Sequence, residues 1–214
     1  MNELILEKAV VFIKELFKNE YSGHDVFHTL RVEKTAARIA EEEGADVFTV
    51  RLAALMHDVD DVKLSPNTAV NKDRARAFMR ENCVDPATMD RICQIIDEIS
   101  FKGSDSVTPS TLEGRCVQDA DRLDALGAIG IARTFAYGGS HSRPIYDPER
   151  APVRDMNEQE YRKSASTSVN HFYEKLFLLK DMMNTPSARR TAEARDDYMR
   201  RFLKELYDEM EGRA

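Results

Sequence analysis

The 214-residue chain contains no uncharged apolar run approaching the roughly 20 residues that a membrane-spanning helix requires. A membrane-spanning helix is therefore not expected. Positive charge is in deficit: 31 Lys and Arg against 38 Asp and Glu leave a formal net charge of −7. General binding to nucleic acid or to an anionic membrane needs basic surface, so neither is expected. A nucleotide substrate is still allowed, because a metal and a few lysines can make a local positive site in an acidic protein. Cysteine is scarce. Cys83, Cys93 and Cys116 are odd in number and scattered, with no Cys-x-x-Cys pair. Structural disulfides and a zinc ribbon are not expected, and a reducing cytoplasm is the matching compartment. The chain also lacks strand-like alternation, internal repeats and low-complexity tracts. Its start, MNELILEKAVVFIKELF, mixes charge with apolar residues and reads as an amphipathic helix rather than a signal peptide.

What is present is helical periodicity. Leu4, Ile5, Val11, Phe12, Leu16 and Phe17 cluster at helical spacing and predict a helix over 3–18. A second is predicted over 25–43, stopped by Gly44, and a third follows a cap at Asp46 and runs through VFTVRLAALMHD. Pro66 breaks the chain before a fourth over 69–81. Asp85 and Pro86 start a fifth, with Met89, Ile92, Ile95, Ile96 and Ile99 on one face. The stretch from Thr111 to Gly138 reads as one long helix in which Gly127 and Gly130 permit a bend. An irregular segment, 138–155, precedes helices over 158–183 and 186–210. A connection of that length is expected to line or cover a site. The reading is all-α, with residues 1–214 forming a single domain.

Chemistry-bearing residues interrupt these apolar helices. The stretch LAALMHDVDDVKL ends an apolar run in His57 and Asp58 and sets Asp60 and Asp61 within a turn of them. Three carboxylates in four residues repel unless something positive sits among them. A carboxylate at a helix C-terminus is also disfavoured by the helix dipole unless a cation compensates. Upstream, His24 and His28 in SGHDVFHTLRV are four apart and share a helix face. Downstream, Asp119, Asp121 and Asp124 punctuate VQDADRLDALG, and Asp121 and Asp124 face the same way. Imidazole and carboxylate on rigid elements are the donors that divalent cations prefer.

His28, then His57-Asp58, then Asp121 resembles the ordered ligand set of the HD-domain metal-dependent phosphohydrolases. The flanks GHDVFHTLRV, LAALMHDVDD, DADRLDALGAIG, RPIYDP and HFYEKLFLLKDMMNTPSAR are similar to a small bacterial subfamily that resembles a nucleoside triphosphate pyrophosphohydrolase. The resemblance spans about residues 2–211. It implies an all-helical bundle whose central helices converge on one ion, with His28, His57, Asp58 and Asp121 as ligands. Binuclear relatives carry further histidines between the His-Asp pair and the last aspartate. Here none lies between His57 and His141, which implies one metal and argues against a binuclear cyclic-dinucleotide phosphodiesterase. The metal favoured by the resemblance is Mn2+; Ni2+, Co2+, Fe2+, Zn2+ and Mg2+ also suit such donors.

The resemblance places an acidic catalytic residue at Asp61. Asp60 reads as a surface or outer group. His24 lies one turn from His28, within reach of a phosphate. Lys102 precedes the Asp121 helix and Lys175 lies on an otherwise apolar face, so these two are the candidate phosphate cations. Asp124 reads as a substrate or outer group, or as the partner of a basic neighbour. His141 and His171 have no motif support as ligands. The implied reaction is hydrolysis of a (deoxy)nucleoside triphosphate to monophosphate and pyrophosphate by metal-activated water. Two alternatives stand beside it: a nucleoside 5′-monophosphatase or other phosphomonoesterase, and a non-catalytic metal or nucleotide sensor. The expected partner is the small-molecule nucleotide, and a homodimer is among the assemblies open to the chain.

Overall fold

The structure, a computed structural model, describes residues 1–18, 25–61, 67–99, 106–153 and 166–213. Among these residues all regular structure is helical, as the apolar periodicity predicts. The chain divides into two compact units, one of residues 1–100 with 107–121 and one of residues 101–106 with 122–214.

The first unit is organised around its most apolar helix. Helices α1 (Asn2–Leu16), α2 (Val26–Glu43), α3 (Val47–Met56), α4 (Asp73–Glu81) and α5 (Pro86–Ile99) belong to it, with most of α6 (Leu112–Asp124). In α3, Leu52, Ala53, Ala54, Leu55 and Met56 are completely buried. A helix that is apolar all round belongs in a core, and α3 packs on α1, α2 and α5. Its start is set by Asp46, whose carboxylate accepts from the amides of Phe48 (3.0 Å) and Thr49 (3.3 Å). Arg51 leaves the core sideways and donates to Glu33 of α2 at 2.5 Å and to Glu3 of α1 at 3.1 Å, joining three helices through one guanidinium.

Helix α2 presents His28, Val32, Ala36 and Ile39 as one buried stripe, with a histidine at the head of an otherwise apolar face. It ends at Gly44, whose φ of 74° is the left-handed conformation that glycine adopts without a Cβ penalty. The three cysteines are free thiols, Cys93 and Cys116 buried and Cys83 exposed.

The second unit contains α7 (Gly127–Ser140), α8 (Ser168–His171), α9 (Phe177–Leu179) and α10 (Pro186–Met210). Helix α10 begins as predicted, with Thr185 as its cap and Pro186 in the first turn. It packs along α7. Phe135, Phe172 and Phe202 form an aromatic cluster with ring centroids 5.9–6.3 Å apart.

Three expected boundaries shift. The helix expected over 69–81 begins at Asp73, because Lys72 sits at φ 55° and breaks the backbone path. The helix expected to continue from Thr111 to Gly138 is two helices. Gly127 adopts φ 72° between them, and a Cβ on Gly130 would lie 2.1 Å from the Ala125 carbonyl oxygen. That approach makes a sharp turn rather than a bend. The helix expected over 158–183 is described from Ser168. It widens to a π-turn over Phe172–Leu176 and tightens to a 3-10 turn over Lys180–Met182; residues 158–165 lie outside the described residues.

The irregular segment is a tied-down strap over its described part. The Ser168 and Val169 amides donate to the Pro144 and Ile145 carbonyls at 3.0 Å. The Asn170 side chain donates to the Arg150 carbonyl at 2.8 Å, and the buried Glu174 carboxylate accepts from the Val153 amide at 3.1 Å. Backbone groups satisfied in this way do not swing freely. This part of the segment is bonded to α8 and to the turn that follows it.

Candidate metal centre

The candidate site is assembled from the ends of buried helices in the first unit. Asp25 caps α2 by accepting from the His28 amide at 2.7 Å, which holds His28 in the first turn. His57 follows the last residue of α3, Asp58 comes next on the same turn, and Asp121 lies near the end of α6. His28, His57 and Asp58 are all buried. Each offers a ligand atom within 4.8 Å of the others. The Nε2 atom of His28 lies 3.5 Å from Asp58 Oδ2 and 3.4 Å from Asp121 Oδ1, and His57 Nε2 lies 3.2 Å from Asp58 Oδ2. Donors each about 2.1 Å from one ion stand roughly 3.0–3.4 Å from one another, so this spacing suits a common cation.

The protonation pattern agrees. His57 Nδ1 lies 2.7 Å from the Ala54 carbonyl oxygen, so Nδ1–H donates there and Nε2 is left to face the cluster. That Nε2 is buried without a well-formed hydrogen bond, with Asp58 Oδ2 3.2 Å away. A buried polar atom without a partner needs an explanation. A cation supplies it. Burial works against a charged His57, but the carboxylates of Asp58 and Asp121 outweigh it and raise the imidazole to about 9. The carboxylates thus hold a proton where a divalent ion would otherwise sit, and metal binding would displace it. Two carboxylates and two neutral imidazoles also balance a charge of +2. The residues present therefore fit the implied metal.

The four side chains differ in exposure. The side chains of His28, His57 and Asp58 are 2%, 5% and 8% exposed, whereas that of Asp121 is 30% exposed.

Asp61, Asp124 and Lys175 are the other candidate residues that the structure describes. Asp61 is partly exposed, one turn beyond Asp58, with its amide donating to the Asp58 carbonyl at 3.1 Å. Asp124 is buried and pairs with Arg133 of α7 at 2.6 Å, which is the basic-neighbour arrangement. Lys175 lies in the π-turn of the second unit. His24 and Lys102 lie outside the described residues. His141 is exposed and stacks on Tyr137, ring centroids 3.9 Å apart.

Of the two sequence readings of Asp60, surface and outer group, its burial removes the first. Both its oxygens are occupied by backbone amides of α4. Local spacing could not reveal this, because the amides lie 14 and 15 residues away.

His171 belongs to the second unit. Burial, then the charges of Lys175 and Arg143, push its imidazole down to about 3. An unfolded histidine titrates near 6.5. Below that pH the unfolded chain takes up a proton that the folded chain refuses, so stability falls as pH drops through the unfolded value and is retained above it. His171→Gln is expected to flatten the pH dependence of unfolding between about pH 6.5 and 4. Denaturant titrations of parent and variant across that range check this; equal slopes would reject it.

The comparisons agree with the geometry. Residues 26–126 match the model of the HD domain family. YpgQ of Bacillus subtilis is 37% identical over 208 residues, 96% of this chain and 94% of its own length. Its crystal structure in complex with ADP superposes with a TM-score of 0.77, covering 98% of this chain and all of the other. An HD-superfamily hydrolase from Bacillus thuringiensis is 39% identical with a TM-score of 0.79 over 99% of both chains. A Lactobacillus plantarum structure is 37% identical with a TM-score of 0.85, also over 99% of both. With His28, His57 and Asp58 drawn together at the ends of buried helices, this chain belongs to the HD-domain family of phosphohydrolases.

Proposed function

We propose that the protein hydrolyses (deoxy)nucleoside triphosphates to the monophosphate and pyrophosphate, with one divalent cation, Mn2+ for preference, held by His28, His57, Asp58 and Asp121. The observation that carries the metal-dependent part is the buried cluster of His28, His57 and Asp58, with Asp121 Oδ1 3.4 Å from His28 Nε2. Support for a nucleotide substrate comes from the relative YpgQ, whose structure is a complex with ADP. In this reading residues 1–214 act as one functional domain in the cytoplasm. Among the described residues no helix is long and apolar enough to cross a membrane.

A divalent cation at this centre supplies Lewis-acid polarisation of a phosphoryl oxygen and lowers the pKa of water. The protein supplies the rest. The buried histidines and Asp58 fix the donor geometry before substrate arrives, which lowers the reorganisation needed during reaction. Asp61, partly exposed one turn beyond Asp58, accepts the proton of the attacking water. His24, Lys102 and Lys175 are the proposed phosphate contacts. Their cationic or hydrogen-bonding groups would balance the charge of the triphosphate beyond what one metal neutralises. Asp124 is held by Arg133 and in this scheme keeps the turn after α6 in place.

Product analysis tests the reading. Purified protein is incubated with a panel of nucleoside mono-, di- and triphosphates and several divalent metals, and products are separated chromatographically. Monophosphate with pyrophosphate is the expected outcome. Orthophosphate from a nucleoside 5′-monophosphate would replace the proposal with a phosphomonoesterase. Metal and nucleotide binding without turnover would make the protein a sensor.

A further inference from the structure

The turn that carries Asp58 and Asp61 is anchored through a residue between them. Helix α4 has no capping side chain of its own, because Lys72 at its N-cap position is left-handed and makes no side-chain cap bond. The amides of the first helical turn need acceptors. Asp60 provides them: Oδ1 accepts from the Arg74 amide at 3.3 Å and Oδ2 from the Ala75 amide at 2.9 Å. These are the bonds an N-cap residue ordinarily makes, here made by a residue from a distant turn. The carboxylate is 6% exposed, so water cannot replace either partner readily. The positive end of α4 also neutralises a charge that would otherwise add to those of Asp58 and Asp61. Lys72 does not compete for Asp60, since its Nζ lies 2.5 Å from Asp97.

The geometry points to Asp60 as a positioning residue for the metal centre: by capping α4 it holds the turn on which the Asp58 ligand and the Asp61 carboxylate are mounted. The inference rests on the metal-binding reading of His28, His57, Asp58 and Asp121. Asp58 is two residues from the anchor, and its backbone carbonyl accepts from the Asp61 amide at 3.1 Å. Releasing Asp60 therefore removes the tie to α4 from the middle of the turn that carries both residues. Groups that orient ligands without touching the metal typically alter metal affinity about 10–100-fold when removed.

The test compares Asp60→Ala and Asp60→Asn with the parent and with Asp85→Ala. Asp85 caps α5 through Thr88 at 3.0 Å and serves as a control for losing a helix cap in the same unit. Two quantities are read on folded protein: hydrogen exchange of the Arg74 and Ala75 amides, and Mn2+ affinity by calorimetry. Asp60→Ala is expected to lose amide protection and to weaken Mn2+ binding by about 10–100-fold. Asp60→Asn, which keeps one acceptor oxygen, should fall between Ala and parent. Asp85→Ala should leave Mn2+ affinity within twofold. Amide protection lost with Mn2+ affinity unchanged would overturn the proposal and reduce Asp60 to a helix cap. Should Asp60→Ala not fold, Asp60→Asn decides alone, and affinity within twofold of the parent overturns the proposal. A parent that binds no divalent metal would instead reject the metal-centre reading itself.

Discussion

His57→Ala and Asp58→Ala are each expected to abolish stoichiometric metal binding and catalytic turnover together. His57 directs Nε2 to within 3.2 Å of Asp58 Oδ2, and that same oxygen lies 3.5 Å from His28 Nε2. Removing either leaves three donors where the charge and the geometry call for four. The loss should exceed the roughly 10–100-fold typical of an outer partner. Metal content by elemental analysis and turnover of a nucleoside triphosphate give the two readouts. Fold should be kept, because both side chains stand at the end of α3 rather than in its packed stripe; far-ultraviolet circular dichroism checks this. His141→Ala serves as the contrast. His141 is exposed and stacked on Tyr137, so its loss should leave metal content unchanged. A double variant of His57 and Asp58 that still carries metal and turns over substrate would overturn the ligand assignment.

Asp61→Asn is expected to separate metal binding from catalysis. The substitution keeps the shape of the side chain and the amide bond to the Asp58 carbonyl, measured at 3.1 Å, but removes the base. Turnover should fall by about 10²–10⁴ if the carboxylate takes the proton of the attacking water. Metal content should stay near normal, and affinity for the intact triphosphate should hold or improve, since one negative charge near the phosphates is gone. Loss of metal would make Asp61 a ligand. Activity within a few-fold of the parent would make it a solvated turn residue.

Much of the site was legible because its donors lie on periodic helices. An apolar run ending in His57 and Asp58 reports a polar demand inside a core, and the capping residues Asp46, Asp85 with Pro86, and Thr185 with Pro186 mark helix starts by local chemistry alone. The helix break after Asp124 was less legible. Gly127 and Gly130 allow either a bend or a sharp turn, and the close approach of the Ala125 carbonyl to Gly130 selects the turn. The pairing of Asp124 with Arg133 follows from that turn, since it brings the next helix back past the end of α6.

Taken alone, the sequence determined the helical class, most helix starts and the identities of the candidate ligands, because capping and amphipathic periodicity are short-range and act within a few residues. Tertiary structure decided what surrounds each of the acidic residues. Asp58, Asp60 and Asp61 have the same chemistry and nearly the same sequence position. Only the fold sends the Asp58 carboxylate toward His28 and His57, turns Asp60 onto the amides of α4, and leaves Asp61 partly exposed. The reason is that a buried carboxylate takes its role from the donors packed against it. For Asp60 those donors come from a helix that begins more than a dozen residues later in the chain, beyond the reach of any local pattern.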